Sequence, residues 1–159
     1  MKKFYLILIT LFTLGISGAW MSPKSTIGKH IKGYDADSAF IAENYQKFEY
    51  RIPMRDGVHL FTAVYVPKDR SEDYPMMLHR TPYRVAPYGK DQMKTTLGPA
   101  MKYAYEKFIF VYQDVRGKFM SEGLYENMRP HKSRKFDKEK DIDESTDTFD
   151  TIKWLLRNV

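Results

Sequence analysis

The sequence predicts an α/β fold whose sheet has an antiparallel edge. Three observations carry this. Residues 45–54 (YQKFEYRIPM) and 58–66 (VHLFTAVYV) flank Arg55-Asp56-Gly57, and Asp-Gly between strand-like runs is a strong hairpin signal. Residues 75–80 (PMMLHR) and 108–112 (FIFVY) are short apolar runs that stop at turn residues, as strands buried on both faces do. Residues 141–159 close on an amphipathic helix. A hairpin that feeds alternating strands and helices argues an α/β sheet.

Taken in order, residues 1–19 read as a secretory signal peptide. Lys2 and Lys3 form a basic start, Phe4 to Ile16 is apolar but for Thr10, Thr13 and Gly15, and Ser17-Gly18-Ala19 supplies the small residues of a cleavage site. The apolar stretch is short for a membrane span. Cleaved or kept as an anchor, it places the rest of the chain across a membrane, so a periplasmic or extracellular protein with no stable anchor is expected.

Residues 20–44 show no sustained period and carry Pro23, Gly28 and Gly33, which reads as a linker or an N-terminal arm. The stretch 45–54 alternates, with Tyr45, Lys47, Glu49 and Arg51 on one side and Gln46, Phe48, Tyr50 and Ile52 on the other. Residues 67–73 form a charged loop and 81–88 (TPYRVAPY) a proline-rich one. One helix is expected within 90–107, with Pro99 in its first turn and Ala100, Met101, Tyr103, Ala104 and Phe108 on its face. Residues 118–140 are a polar excursion with a basic run at 131–135. The last helix is expected to bury Phe149, Ile152, Leu155, Leu156 and Val159, and its acidic start suits the positive end of the helix dipole.

Composition narrows the function. The chain has 159 residues, 43% of them apolar and 15% aromatic, enough for one domain with a packed core. The formal charge is +6, and Lys2 and Lys3 contribute two of those charges. The remaining basic residues are interleaved with 20 acids, which is no nucleic-acid footprint. With no cysteine there is no disulfide framework, thiolate zinc site or cysteine nucleophile. His30, His59, His79 and His131 share no metal-ligand spacing, and no Walker loop or dinucleotide fingerprint is present. Asp141, Asp143 and Ser145 start like a calcium loop, but Thr146 replaces its glycine and Ile152 its last glutamate. No metal and no cofactor are expected. Ser121 in FMSEG lacks the glycine of a nucleophile elbow.

Two places have the right position for chemistry. Ligands of open α/β sheets sit beyond the carboxyl ends of the strands. Asp114-Val115-Arg116-Gly117 follows the run 108–112, so Asp114 and Arg116 either border a site or brace a tight turn. Tyr83 follows Thr81-Pro82 directly after the run 75–80. Its phenol either packs or donates a hydrogen bond to a developing oxyanion.

Several stretches, in this order, carry a family resemblance. They are IPMRDGVHL at 52–60 with TAVYVP behind it, HRTPYR at 79–84, FVYQDVRGKFMSEG at 110–123 and DESTDTFDTIKWLLRNV at 143–159. Over about residues 45–159 the chain resembles the N-terminal part of the α/β-hydrolase family of alpha-amino-acid ester hydrolases, cocaine esterase-like enzymes and Xaa-Pro dipeptidyl-peptidases. The resemblance implies an α/β-hydrolase fold, here incomplete: the N-terminal strands and helices of the catalytic domain only. It implies that Tyr83 completes an oxyanion hole through its hydroxyl, and that Asp114, Arg116 and Gly117 scaffold the site.

Family members continue with a strand, the serine elbow, and later the Asp and His of the triad. This chain has no counterpart of any of the three. The expectation is therefore a leading segment of a secreted serine hydrolase, inactive alone, whose whole acts on a small ester, amide or peptide through an acyl-serine. A secreted binding protein without catalysis, derived from a truncated hydrolase, is the alternative. Oligomeric state is not legible in the sequence.

Overall fold

The computed structural model describes residues 32–131 and 142–159. The signal-peptide reading, the first part of the arm, most of the basic run and Asp141 lie outside the described residues.

Four strands form one mixed sheet in the order β1-β2-β4-β3. β1 (Tyr45–Pro53) and β2 (His59–Pro67) make the expected hairpin, in register from Tyr45 opposite Pro67 to Pro53 opposite His59. Its turn closes through the Met54 N–H to the Val58 carbonyl at 2.8 Å, with Gly57 at φ +83°. β3 (Met76–Thr81) runs parallel to β4 (Ile109–Asp114), and β2 runs antiparallel to β4. The run 108–112 is thus interior as expected, but only one of its neighbours is parallel.

Both faces of the sheet are covered. On one face Tyr45, Phe61, Ala63, Tyr65 and Phe110 pack with Ile41, Val85, Leu97 and Ala104. On the other, Ile52, Leu60, Val64, Val66, Ile109 and Val111 pack with Leu155. Covering both faces explains why Lys47, on the polar side of β1, is buried, although Arg51 further along that side is exposed.

The helices depart most from expectation. Helix α1 (Lys32–Asn44) occupies a stretch without an apolar period. It is held by points instead: Ile41 is fully buried, Phe40 meets Tyr105 edge-on at 4.7 Å, and the Lys68 ammonium donates to the Ala42 carbonyl at 2.9 Å. The helix expected within 90–107 shrinks to the single turn α2 (Lys102–Tyr105). The chain before it is irregular because it seals the sheet directly. Gly98, at φ +65°, lies so close to the Phe110 ring that a Cβ there would come within 2.5 Å.

Helix α3 (Glu144–Asn158) starts at a capping box in which Asp143 and Thr146 exchange bonds. Its buried side chains are Asp147, Thr151 and Leu155, whereas Phe149, Ile152 and Leu156 are exposed. Of the apolar residues expected to face the core, Leu155 is the one that is fully buried.

Candidate functional site

Thr81 ends β3 and Asp114 ends β4, and the two stand opposite each other in register. The Val115 N–H to the Thr81 carbonyl at 3.1 Å extends the pairing one step further. The two loops that matter leave the sheet here. Thr81 Oγ1 accepts from the Tyr83 N–H at 3.0 Å, a local turn that Ser and Thr favour. The Tyr83 side chain stands out into solvent, 78% exposed.

Asp114 is fully buried, and its carboxylate joins the loops. Oδ1 accepts from the Val85 N–H at 3.3 Å. Oδ2 accepts from the Tyr88 hydroxyl at 2.9 Å and the Met120 N–H at 3.3 Å. Burial, and then the bond to this carboxylate, push the Tyr88 phenol up to about 12. Tyr88 thus stays a donor at neutral pH. Ser121 serves the same turn: its hydroxyl donates to the Asp114 carbonyl at 2.6 Å and accepts from the Phe61 N–H at 2.8 Å.

Arg116 points to the other side. Its Nε and Nη2 donate to Asp147 at 2.9 and 2.6 Å, and its Nη1 and Nη2 to Asp56 at 2.7 and 3.2 Å. Burial opposes the charge, but these bonds outweigh it and raise the guanidinium pKa. Arg80 parallels it one strand away. Its Nε donates to Gln113 Oε1 at 2.6 Å, and its Nη1 to Thr148 Oγ1 at 2.6 Å and to the Glu144 carbonyl at 3.0 Å. Gln113 in turn donates to Thr62 and Thr151 at 2.9 and 3.0 Å. A polar layer therefore clamps the first half of α3 beneath the strand ends. Gly117, at φ +68°, lets the turn close, since a Cβ there would lie 2.1 Å from the Tyr125 nitrogen.

Of the residues singled out from sequence, Asp114 ties down the loop that carries Tyr83 by accepting from the Val85 N–H, two residues on. Arg116 and Gly117 brace the turn and the helix. Sequence reasoning missed Lys47, Arg80, Tyr88 and Asp147. For Arg80 and Asp147 a signal existed: a cation in a buried strand needs an acid, and α3 begins with several. Among the described residues, no group of three or more His, Asp or Glu side chains could hold a metal ion.

Comparisons with known proteins bear on the family and the fold. The family model of the X-Pro dipeptidyl-peptidase (S15 family) matches residues 56–158. The cocaine esterase of Rhodococcus sp. (strain MB1 Bresler) is 31% identical over 105 residues, 66% of this chain and 16% of that protein. Among solved structures, an aminopeptidase from a marine sediment archaeon, Thaumarchaeota archaeon, superposes with a TM-score of 0.60 at 36% identity, covering 77% of this chain and 20% of that one. An alpha-amino acid ester hydrolase gives 0.57 at 35% identity, covering 88% and 22%. The chain thus spans between 16% and 22% of the length of these relatives. The match begins at Asp56 within the hairpin turn and takes in both site loops and α3, and on that ground the chain belongs to the X-Pro dipeptidyl-peptidase (S15) family.

Proposed function

We propose that this chain forms the oxyanion side of an α/β-hydrolase catalytic domain. The whole enzyme would be a secreted serine hydrolase that cleaves small esters, amides or peptides through an acyl-serine. Tyr83 donates its hydroxyl to the tetrahedral oxyanion. Asp114, Arg116 and Gly117 hold the loops beneath it. The observation that carries this reading is an exposed phenol on a loop fixed from behind by a buried carboxylate, at the carboxyl ends of two parallel strands.

The nucleophile is not supplied by Ser121. That hydroxyl is spent on the Asp114 carbonyl and the Phe61 N–H. His59 Nδ1 pairs with Glu122 at 3.2 Å and His131 Nδ1 with Asp143 at 3.0 Å, which ties each ring to a carboxylate. Acyl transfer needs nucleophile and base together. On this reading the 159-residue chain alone should be inactive on p-nitrophenyl and amino-acid esters. An immunoblot of the source cells against residues 20–159 tests the reading. A secreted band several times larger, with esterase or peptidase activity that Tyr83→Phe cuts, supports it. Turnover by the purified short chain that survives Tyr83→Phe overturns it.

A further inference from the structure

Within this chain the Tyr83 side chain is exposed, so no packing among the described residues fixes its hydroxyl. A useful oxyanion donor must be held to within about 0.5 Å. The loop backbone must therefore supply the precision, and residues 82–101 contain neither strand nor helix.

Two side-chain anchors take the place of secondary structure. One is the Lys47 ammonium, whose side chain is 0% exposed. It donates to the carbonyls of Pro87, Gly89 and Gln92 at 2.7, 2.9 and 3.0 Å, and Glu49 balances its charge at 2.8 Å. Glu49 also accepts from the Gly89 N–H at 2.7 Å. The other anchor is Asp114 on Val85 and Tyr88. Tyr88 lies between the two. Its neighbours in sequence are gripped by Lys47, its ring meets Phe61 edge-on at 5.2 Å, and its hydroxyl reaches Asp114. The Arg84 guanidinium lies over the same ring at 5.4 Å.

We propose that Tyr88 is the positioning residue for Tyr83: it locks the loop to β4 through Asp114 and so sets where the Tyr83 hydroxyl stands. This rests on the oxyanion reading for its catalytic meaning. The mechanical part stands on the contacts alone. Removing the Tyr88 hydroxyl takes one of the donors from a buried carboxylate. The loop then loses its tie to β4 between Val85 and the Lys47 anchor.

The test is hydrogen exchange on the full chain, wild type against Tyr88→Phe. The amides of Tyr83 and Val85 should exchange at least about tenfold faster, the scale of one lost hydrogen bond, while amides of β2 and β4 stay protected. If strand amides also lose protection, Tyr88→Phe has upset the fold, and Asp114→Asn should give the confined pattern instead. Unchanged exchange at Tyr83 and Val85 in a folded variant overturns the positioning role. In the protein expressed from its native gene, Tyr88→Phe should lower kcat on p-nitrophenyl esters with KM unmoved. A Tyr88→Phe enzyme as fast as wild type, beside a Tyr83→Phe enzyme that is slow, also overturns it. If Tyr83→Phe is itself as fast as wild type, the oxyanion reading falls and the exchange result decides the mechanical role alone.

Discussion

Arg116 and Asp147 form a two-bonded ion pair, Nε to Oδ2 at 2.9 Å and Nη2 to Oδ1 at 2.6 Å, with both side chains almost wholly buried. The pair ties the turn after β4 to the first half of α3. Removing one partner of such a pair strands a charge, which costs about 3–5 kcal/mol. Asp56 still faces Arg116 when Asp147 is gone. Asp147→Ala should therefore cost near the lower end, about 3 kcal/mol, read from urea unfolding midpoints. Arg116→Lys should not restore wild-type stability, because an ammonium cannot make the two parallel bonds. A midpoint unchanged in Asp147→Ala would show that the pair does not stabilise the fold.

Acid should act through the same cluster. Burial alone would raise the Asp56 carboxyl, but its hydrogen bonds from Arg116 outweigh this and hold it below the ordinary range. A carboxyl lower in the folded state than in the unfolded one contributes its stability above the unfolded value. That contribution is lost as pH falls through the folded value. The backbone N–H of His59 lowers Glu122 in the same direction. Unfolding midpoints should hold from pH 7 to about 5 and fall below about 4. Asp56→Asn should flatten the fall. An identical acid slope in that variant would remove Asp56 from the account.

How far this network was legible can be said residue by residue. The strands were, because runs such as FIFVY read as buried whatever surrounds them. Tyr83 and Asp114 were legible as positions at strand ends. Their partners were not. Arg116 finds Asp147 and Asp56 at sequence separations of 31 and 60, and no local pattern announces such pairs. The burial of Lys47 was not legible because alternation marks faces, not which of them water reaches. Helix α1 lacks the periodicity that reveals a helix, since tertiary contacts at Phe40 and Ile41 hold it.

Gly117 should tolerate no side chain. It sits at φ +68°, and a Cβ would stand 2.1 Å from the backbone nitrogen of Tyr125. The left-handed conformation costs a non-glycine residue about 1–2 kcal/mol before any clash. The clash is with backbone, which cannot step aside. Gly117→Ala should lose more than about 2 kcal/mol in urea unfolding, whereas Gly57→Ala, with open space around its Cβ, should lose less. Equal losses at both positions would rule out the close approach as the cause.

Tyr83→Phe should separate activity from stability. The side chain is 78% exposed, and exposed substitutions usually stay within about 0.5 kcal/mol. The melting curve of the chain should not move. Under the proposed oxyanion role, the same change in the whole enzyme should slow acylation by roughly 10²-fold, the scale of one lost oxyanion donor. A melting point that drops with Tyr83→Phe would make the hydroxyl a structural group instead.

Leu155 and Leu156 are neighbours in sequence and opposites in environment, 2% and 74% exposed. The apolar spacing of Phe149, Ile152 and Leu156 suggested a core face, yet these residues point away from the sheet. The face turned inward carries Asp147 and Thr151, because Arg116 and Gln113 are there to meet them. Hydrophobic periodicity assumes that what is buried is apolar, and a satisfied polar layer breaks that assumption. Leu155→Ala should thus cost about 2–5 kcal/mol through the cavity it leaves. Leu156→Ala should cost less than about 0.5 kcal/mol. Thr151→Val keeps the shape but leaves Gln113 short of a partner, and should cost about 1–3 kcal/mol. Unfolding midpoints of the three variants decide it. If Leu156→Ala proved the costlier of the two leucine changes, α3 would have to be turned on its axis, and the Arg116–Asp147 pair could not form as described.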